Sequence, residues 1–261
     1  REAIMKITSL AENTSACGMP VEHGLSLYIE TNGRKLLFDS GQSDLFAQNA
    51  KRLGVDLNTV ELMVLSHGHY DHGGGIQTFL AVNGHAPVYL NRHAFEPHFR
   101  GDGTYNGLDT VLMDEPRLRF TEGVTRLDEH LTLYDAEALE PIREWGSFGL
   151  TAELDGVIVP DDFRHEQYLM IEENGKKVLI SGCSHKGIMN IMNRFAPDVL
   201  VGGFHFFKLP LDDKLTQYAR ELDAYDTDYY TCHCTGEEQF RFMKQTMRRL
   251  SYLSTGQTIE I

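Results

Sequence analysis

The chain has 261 residues, enough for one large core, and is expected to form a single domain over 1–261. Apolar residues make up 41% and charged residues 24%, ordinary globular values, and no run approaches the roughly 20 apolar residues of a membrane span. A formal net charge of -14 argues against nucleic acid or an anionic membrane as partner, since phosphate contacts need basic patches; a small anionic substrate stays open because a metal site brings its own positive field.

The first eight residues lack the uninterrupted apolar core of a leader peptide. Four cysteines (Cys17, Cys183, Cys232, Cys234) are too few for a disulfide framework, so reduced, cytoplasmic thiols are expected. Residues 3 to 10 suit an edge strand. Two apolar runs, Leu25 to Glu30 and Lys35 to Asp39, flank Asn32-Gly33 and form the clearest hairpin. A helix is expected over 42 to 53, with Leu45, Phe46, Asn49 and Leu53 in register and a stop at Gly54.

Glu61 to Leu65 reads as a short buried strand, and Ile76, Phe79 and Leu80 fall at helical spacing behind it. Between them lies Ser66-His67-Gly68-His69-Tyr70-Asp71-His72-Gly73, a strand-to-helix loop with three imidazoles and a carboxylate within six residues. His67 and His69 can hold one metal while Asp71 and His72 hold a second, for imidazole suits zinc, iron or manganese and a carboxylate tolerates water beside it. Residues 91 to 118 read as a long excursion without periodicity, which makes His93, His98, Arg100 and Tyr105 pocket candidates. Short strands follow around Arg119, Val124, Leu131 to Tyr134, Gly156 to Val159 and Gln167 to Ile171, with the lone Trp145 in a connection.

The second half repeats the first. Asn174-Gly175 turns into a strand over Lys177 to Ile180 that ends in Ser181-Gly182-Cys183-Ser184-His185, ahead of a helix carrying Ile188, Ile191, Met192 and Phe195. A strand over 198 to 201 ends in Gly203-Phe204-His205, and another over 229 to 231 ends in Cys232-His233-Cys234. Thr235 with Glu238 suggests a capping box, and Thr258 to Ile261 closes the chain as a strand. Six of twelve histidines (His67, His69, His72, His185, His205, His233) thus follow apolar strands, where open α/β sheets gather ligands.

His67-Gly68-His69-Tyr70-Asp71-His72 at a strand end resembles the hallmark of the metallo-β-lactamase superfamily. That resemblance implies an α/β fold, an αββα sandwich of two mixed sheets flanked by helices, with one or two divalent metal ions at the sheet edge. Zinc is expected ahead of iron or manganese. It also implies that Asp39 in Phe38-Asp39-Ser40-Gly41 supports the ligands from behind, the alternative being a helix N-cap. The pattern departs from the family where Pro160-Asp161-Asp162-Phe163-Arg164-His165 replaces a third histidine motif and Gly182-Cys183 replaces a bridging aspartate. His185, Cys183 or one of Asp161 and Asp162 is expected to complete the set, giving His67, His69, Asp71, His72, Cys183, His185 and His233 as metal ligands.

Gly-Cys-Ser-His, Gly-Gly-Phe-His and His-Cys-Thr-Gly together are similar to a branch containing archaeal dihydropterin ribofuranosyl-aminobenzene-phosphate synthases and metal-dependent hydrolases. The leading expectation is hydrolysis by metal-activated water of a small phosphate-bearing or ester-like substrate. Asp71 would orient the nucleophile and His205 would stabilise the leaving group or act as acid; Lys186 and Lys208 could pair with phosphate. A pterin-type transferase displacing pyrophosphate and a non-catalytic metal or ligand sensor are the alternatives.

Overall fold

A computed structural model describes residues 4–261. The elements run β1 (Lys6–Ala11), β2 (Ser26–Thr31), β3 (Arg34–Phe38), α1 (Leu45–Arg52), β4 (Leu62–Val64), α2 (Tyr70–Gly73), α3 (Ile76–Val82), β5 (Val88–Asn91), β6 (His98–Phe99) and β7 (Leu118–Thr121). Then come β8 (Val124–Arg126), β9 (Leu131–Asp135), β10 (Thr151–Leu154), β11 (Val157–Pro160), β12 (Gln167–Glu173), β13 (Lys176–Ile180), α4 (Ile188–Phe195), β14 (Val199–Val201), α5 (Asp213–Asp223), β15 (Asp228–Thr231), α6 (Glu237–Lys244), β16 (Leu250–Tyr252) and β17 (Thr258–Glu260). The edge strand expected over 3 to 10 is β1, with residue 3 outside the described residues.

Two seven-stranded mixed sheets carry the fold, in the orders β17-β1-β2-β3-β4-β5-β7 and β16-β15-β14-β13-β12-β9-β8. Alternation along the strands explains why they stack. Leu36, Phe38 and Val64 point inward to meet Leu169, Ile171, Ile180 and Val201 of the other sheet in one apolar layer. Their neighbours Leu37 and Met63 point outward onto Phe46, Ile76 and Phe79 of α1 and α3. On the far side, Leu179, Leu200 and Tyr229 face Ile188, Ile191, Leu215 and Met243 of α4, α5 and α6. Three apolar layers between four structural layers make the expected αββα sandwich. Strands buried on both faces need apolar residues at nearly every position, which is why β4 and β14 read as unbroken hydrophobic runs.

Asn32 and Gly33, with φ of 50° and 74°, form the two-residue turn between β2 and β3, and Asn174 and Gly175, at 52° and 75°, repeat it between β12 and β13. Glu173 joins the two hairpins, accepting from Thr31 Oγ1 at 2.8 Å and from the Asn32 N–H at 2.9 Å. A third such turn, at Asp155 and Gly156, links β10 to β11, and β10 pairs with β6 in a small separate sheet. The excursion over 91 to 118 is therefore not structureless: it contributes β6 and a 3₁₀ turn over Thr110–Asp114.

One alternative falls away and one expectation is corrected. Asp39 caps no helix, because α1 starts later, after Asp44. Thr235 makes no capping box: Gly236 precedes α6, and Thr235 Oγ1 instead accepts the Phe204 N–H at 2.8 Å, tying the end of β14 to the end of β15. Tertiary pairing of two loops took the hydroxyl that a lone helix would have used.

The parallel strands β3, β4, β13, β14 and β15 all release their chains at the same edge of the sandwich. Gly202, just past β14, has φ 150°, and a Cβ there would lie 1.9 Å from the Ser181 carbonyl oxygen. Replacing Gly202 with Ala should therefore cost about 1–3 kcal/mol, read as a lowered urea midpoint at unchanged m-value.

Candidate metal centre

Four buried carboxylates hold the loops at that edge. Asp39 Oδ1 accepts the Ser66 N–H at 2.7 Å, and its Oδ2 accepts Ser66 Oγ–H and His72 Nδ1–H, each at 2.7 Å. Glu12 Oε1 accepts the His233 N–H and the Tyr252 hydroxyl, each at 2.6 Å. Glu166 accepts the N–H groups of His185 and Lys186 at 2.7 and 3.2 Å, and burial pushes its carboxyl pKa up. Asp161 Oδ1 accepts the Phe163 N–H at 2.8 Å, while its Oδ2 lies 3.1 Å from His98 Nδ1, 3.4 Å from His165 Nε2 and 3.8 Å from His69 Nε2. Asp39, Phe163, Ser184, His205 and His233 all adopt positive φ between 50° and 59°, an uncommon state for side-chain-bearing residues.

The same bonds set the protons on the rings. Ser66 Oγ spends its hydrogen on Asp39 and so accepts from His67 Nδ1 at 2.8 Å. Asn13 Oδ1 accepts from His233 Nδ1 at 2.7 Å. In their neutral forms His67, His72 and His233 therefore each turn an Nε2 lone pair inward. His72 Nε2 and His233 Nε2 stand 3.2 Å apart, and Cys183 Sγ lies 3.1 Å from the former. Asp71 Oδ2 is 3.3 Å from His233 Nε2 and 3.6 Å from His72 Nε2. Nε2 of His67 and both ring nitrogens of His185 are buried without a partner.

Lone pairs converging on lone pairs call for a cation, and this donor set fits a divalent metal. Donor atoms of His67, Cys183 and His185 lie within 4.8 Å of one another, as do those of His72, Cys183 and His233, so the thiol is common to both groups. Electrostatics agree. Burial opposes charge on His72, yet Asp71 and Asp39 raise its pKa to about 9, so a proton stands where a cation would. Burial alone would raise the Asp71 carboxyl, but His72, His23 and His233 hold it well below the usual range. Burial, reinforced by neighbouring imidazoles, lowers His67 and His185 far below the ordinary histidine value.

The seven expected ligands line one edge, with the His67 ring 4.6 Å from His69, 4.2 Å from His72 and 4.9 Å from His185 between centroids, but the expected pairing of His67 with His69 is not kept: the His69 donor groups with those of His98, Asp161 and His165. Of the remaining candidates, Asp162 is exposed, whereas Asp161 is buried among three imidazoles. His165, which sequence reasoning left out, packs behind the centre, 3.9 Å from the His98 ring, and its Nδ1 accepts the Gly68 N–H at 2.8 Å. That bond leaves the neutral ring's proton on Nε2, facing Asp161, so His165 positions Asp161 and the His67–His69 loop. His23 was also missed, since no apolar strand precedes it. Its Nε2 lies 3.2 Å from Asp71 Oδ2, and the Asn13 amide donates to its Nδ1 at 3.1 Å.

A cavity of about 420 Å³ opens over the centre, lined among others by His69, Asp71, Arg100, Phe148, His205 and Lys208. His93 and Tyr105 are not part of it. His93 bonds Glu96 at 2.7 Å, and the Tyr105 hydroxyl donates to the Leu108 carbonyl, so local turn bonds claim both. His98 sits behind the centre with Asp161, and Lys186 donates to the Asp162 carbonyl at 2.9 Å on another cavity.

A family model described as the Metallo-beta-lactamase superfamily matches residues 19–230. An uncharacterised protein of Methanocaldococcus jannaschii is 28% identical over 98% of this chain and 100% of its own length. A second protein of that organism, named 7,8-dihydropterin-6-methyl-4-(beta-D-ribofuranosyl)-aminobenzene-5'-phosphate synthase, is 27% identical over 98% of this chain and 96% of its own. A crystal structure described as a metal-dependent hydrolase of the beta-lactamase superfamily superposes with TM-score 0.85 at 30% identity, covering 98% of this chain and 99% of that one. A metallo-beta-lactamase fold protein from Bacillus subtilis, 13% identical with TM-score 0.62 over 99% and 100% of the chains, shares the fold.

Burial, with the adjacent His98 ring, lowers His165 to about 3 from an ordinary 6.5. Between those values the unfolded chain binds a proton that the folded one refuses, so stability should fall as pH drops through the window. His165→Gln should flatten that slope by on the order of 1 kcal/mol per pH unit, measured by urea unfolding at stepped pH. Asp39→Asn takes the acceptor from His72 Nδ1 and should weaken zinc binding by about 10–100-fold in chelator competition.

Proposed function

Because the chain belongs to the metallo-beta-lactamase superfamily, we propose that it is a metal-dependent hydrolase acting on a small phosphate-bearing or ester-like substrate. The observation that carries this reading is the 3.2 Å approach of His72 Nε2 and His233 Nε2, whose opposite nitrogens are both committed as donors. His67, His69, Asp71, His72, Cys183, His185 and His233 would hold one or two divalent ions, with zinc favoured over iron or manganese by the imidazoles and thiol. When bound, such an ion supplies Lewis acidity and brings the pKa of water from ~15.7 towards ~7.

The chain's own groups do the rest. Asp71, kept ionised and held by His23, offers an oxygen at the cavity floor that accepts a hydrogen bond from an attacking water and orients it. His205 lines the cavity between Phe148 and Phe207, with ring centroids at 4.4 and 5.3 Å, and donates a hydrogen bond to the departing group. Those aromatic faces keep bulk water from the reacting bond. Arg100, braced over Tyr70 with its Nη2 2.6 Å from the hydroxyl, and Lys208 bring positive charge to the rim of a chain otherwise strongly acidic. An anionic small molecule fits that rim better than a polyanion fits the whole surface.

A second reading follows from the full-length similarity to a synthase: a pterin-type transfer that releases pyrophosphate, with a second substrate replacing water. Pyrophosphate release that requires an aminobenzene riboside phosphate would select it.

His69→Ala should lower both metal content and turnover on a panel of phosphate esters, lactones and thioesters by at least about 100-fold. Full activity retained by that variant, or by protein stripped with chelator, would overturn the proposal.

A further inference from the structure

Cys183 belongs to a third donor group, whose Cys234 has no part in the proposed hydrolytic site: ligand atoms of Cys183, His205 and Cys234 also lie within 4.8 Å of one another. The chain reaches this arrangement by breaking a strand. Along Cys232-His233-Cys234, Cys232 points into the layer between the sheets. His233 at φ 50° and the 3₁₀ turn over His233–Thr235 then redirect Cys234 to the cavity wall.

Two further features single out this sulfur. A Cβ at Gly203 would lie 2.4 Å from Cys234 Sγ, so the backbone omits a side chain where the thiol needs room. His205, itself at φ 55°, keeps Nδ1 buried with no partner while its ring lines the same cavity. An unsatisfied imidazole nitrogen beside two thiols has no structural purpose that the surrounding hydrogen bonds explain.

We infer that Cys234 and His205 extend the metal centre into a sulfur-rich ligand set that shares Cys183 and takes a soft or borderline divalent ion such as zinc. The inference rests on the proposal that the imidazole cage holds metal, and goes beyond it by assigning two more ligands. The chemistry is that of a Cys₂His site, for which zinc has high affinity and magnesium or calcium very little. Each thiol gives up its proton to solvent as it binds, with no change of oxidation state. Ligation through Nδ1 leaves Nε2–H on His205, so its hydrogen bond to a leaving group survives.

Cobalt(II) replacing the native ion reads the donors directly, since thiolate ligation adds intense near-ultraviolet charge-transfer absorption that imidazoles and carboxylates lack. The native protein loaded with cobalt should show this band, and Cys234→Ser should lose about half of it, roughly a twofold drop, with Cys183→Ser removing most of the remainder. A Cys234→Ser spectrum superposable on the native one overturns the inference and leaves the hydrolase proposal standing. Failure of the native protein to take up cobalt or zinc at all overturns both. Should Cys234→Ser fail to fold, alkylation of the native protein decides: zinc must protect Cys234 from iodoacetamide at least about tenfold, and equal labelling with and without zinc overturns the inference.

Discussion

Carboxylates with no access to water hold this molecule's working edge together. Glu12, Asp39, Asp161 and Glu166 are between 0% and 4% exposed, and burying four such groups is costly unless each oxygen is bonded. Each is. Their partners are backbone N–H groups of the loops after the strands, together with Ser66, Tyr168 and Tyr252 hydroxyls and ring nitrogens. One carboxylate thus does two things at once: it compensates its own desolvation and it holds a loop in a conformation that the chain would otherwise leave. The positive φ values at Asp39, Phe163, Ser184 and His233 persist because these bonds over-determine them.

The sandwich explains why the loops meet. Parallel strands in both sheets end at one edge, and the apolar layer between the sheets brings those two edges side by side. His67, His69, Asp71 and His72 come from one sheet, and Cys183, His185, His205 and His233 from the other. The group of His72, Cys183 and His233 draws on both sheets, so its assembly and the stacking of the sheets are a single event.

Cys183 gives the centre its character. It stands at the junction of three donor groups, within hydrogen-bond reach of His72. Sulfur is softer than oxygen and shifts preference from hard cations towards zinc. The nearby phenyl rings of Phe148 and Phe163, the latter stacked 4.3 Å from His185 at 11°, lower the local dielectric and strengthen every charge interaction beneath them.

Much was legible in the amino acids themselves. Asn-Gly pairs between apolar runs located two hairpins, because the left-handed turn needs those residues; the helices behind β4 and β13 followed from their periodicity. The His-x-His-x-Asp-His run, the histidines after β13 and β15, and Cys183 beside the first of these supplied the seven ligands proposed, since local spacing and strand ends are sequence properties. What only the tertiary structure decided is who stands behind them. His23 and Asn13 lie on an irregular loop, His165 and Asp161 in a segment without periodicity, and Glu12 and Glu166 look like ordinary strand-edge acids. Their roles depend on hydrogen bonds between positions as far apart as 240 residues, as from the Tyr252 hydroxyl to Glu12. No local pattern encodes such a bond; it exists only once two sheets have stacked and excluded water from the space between the loops.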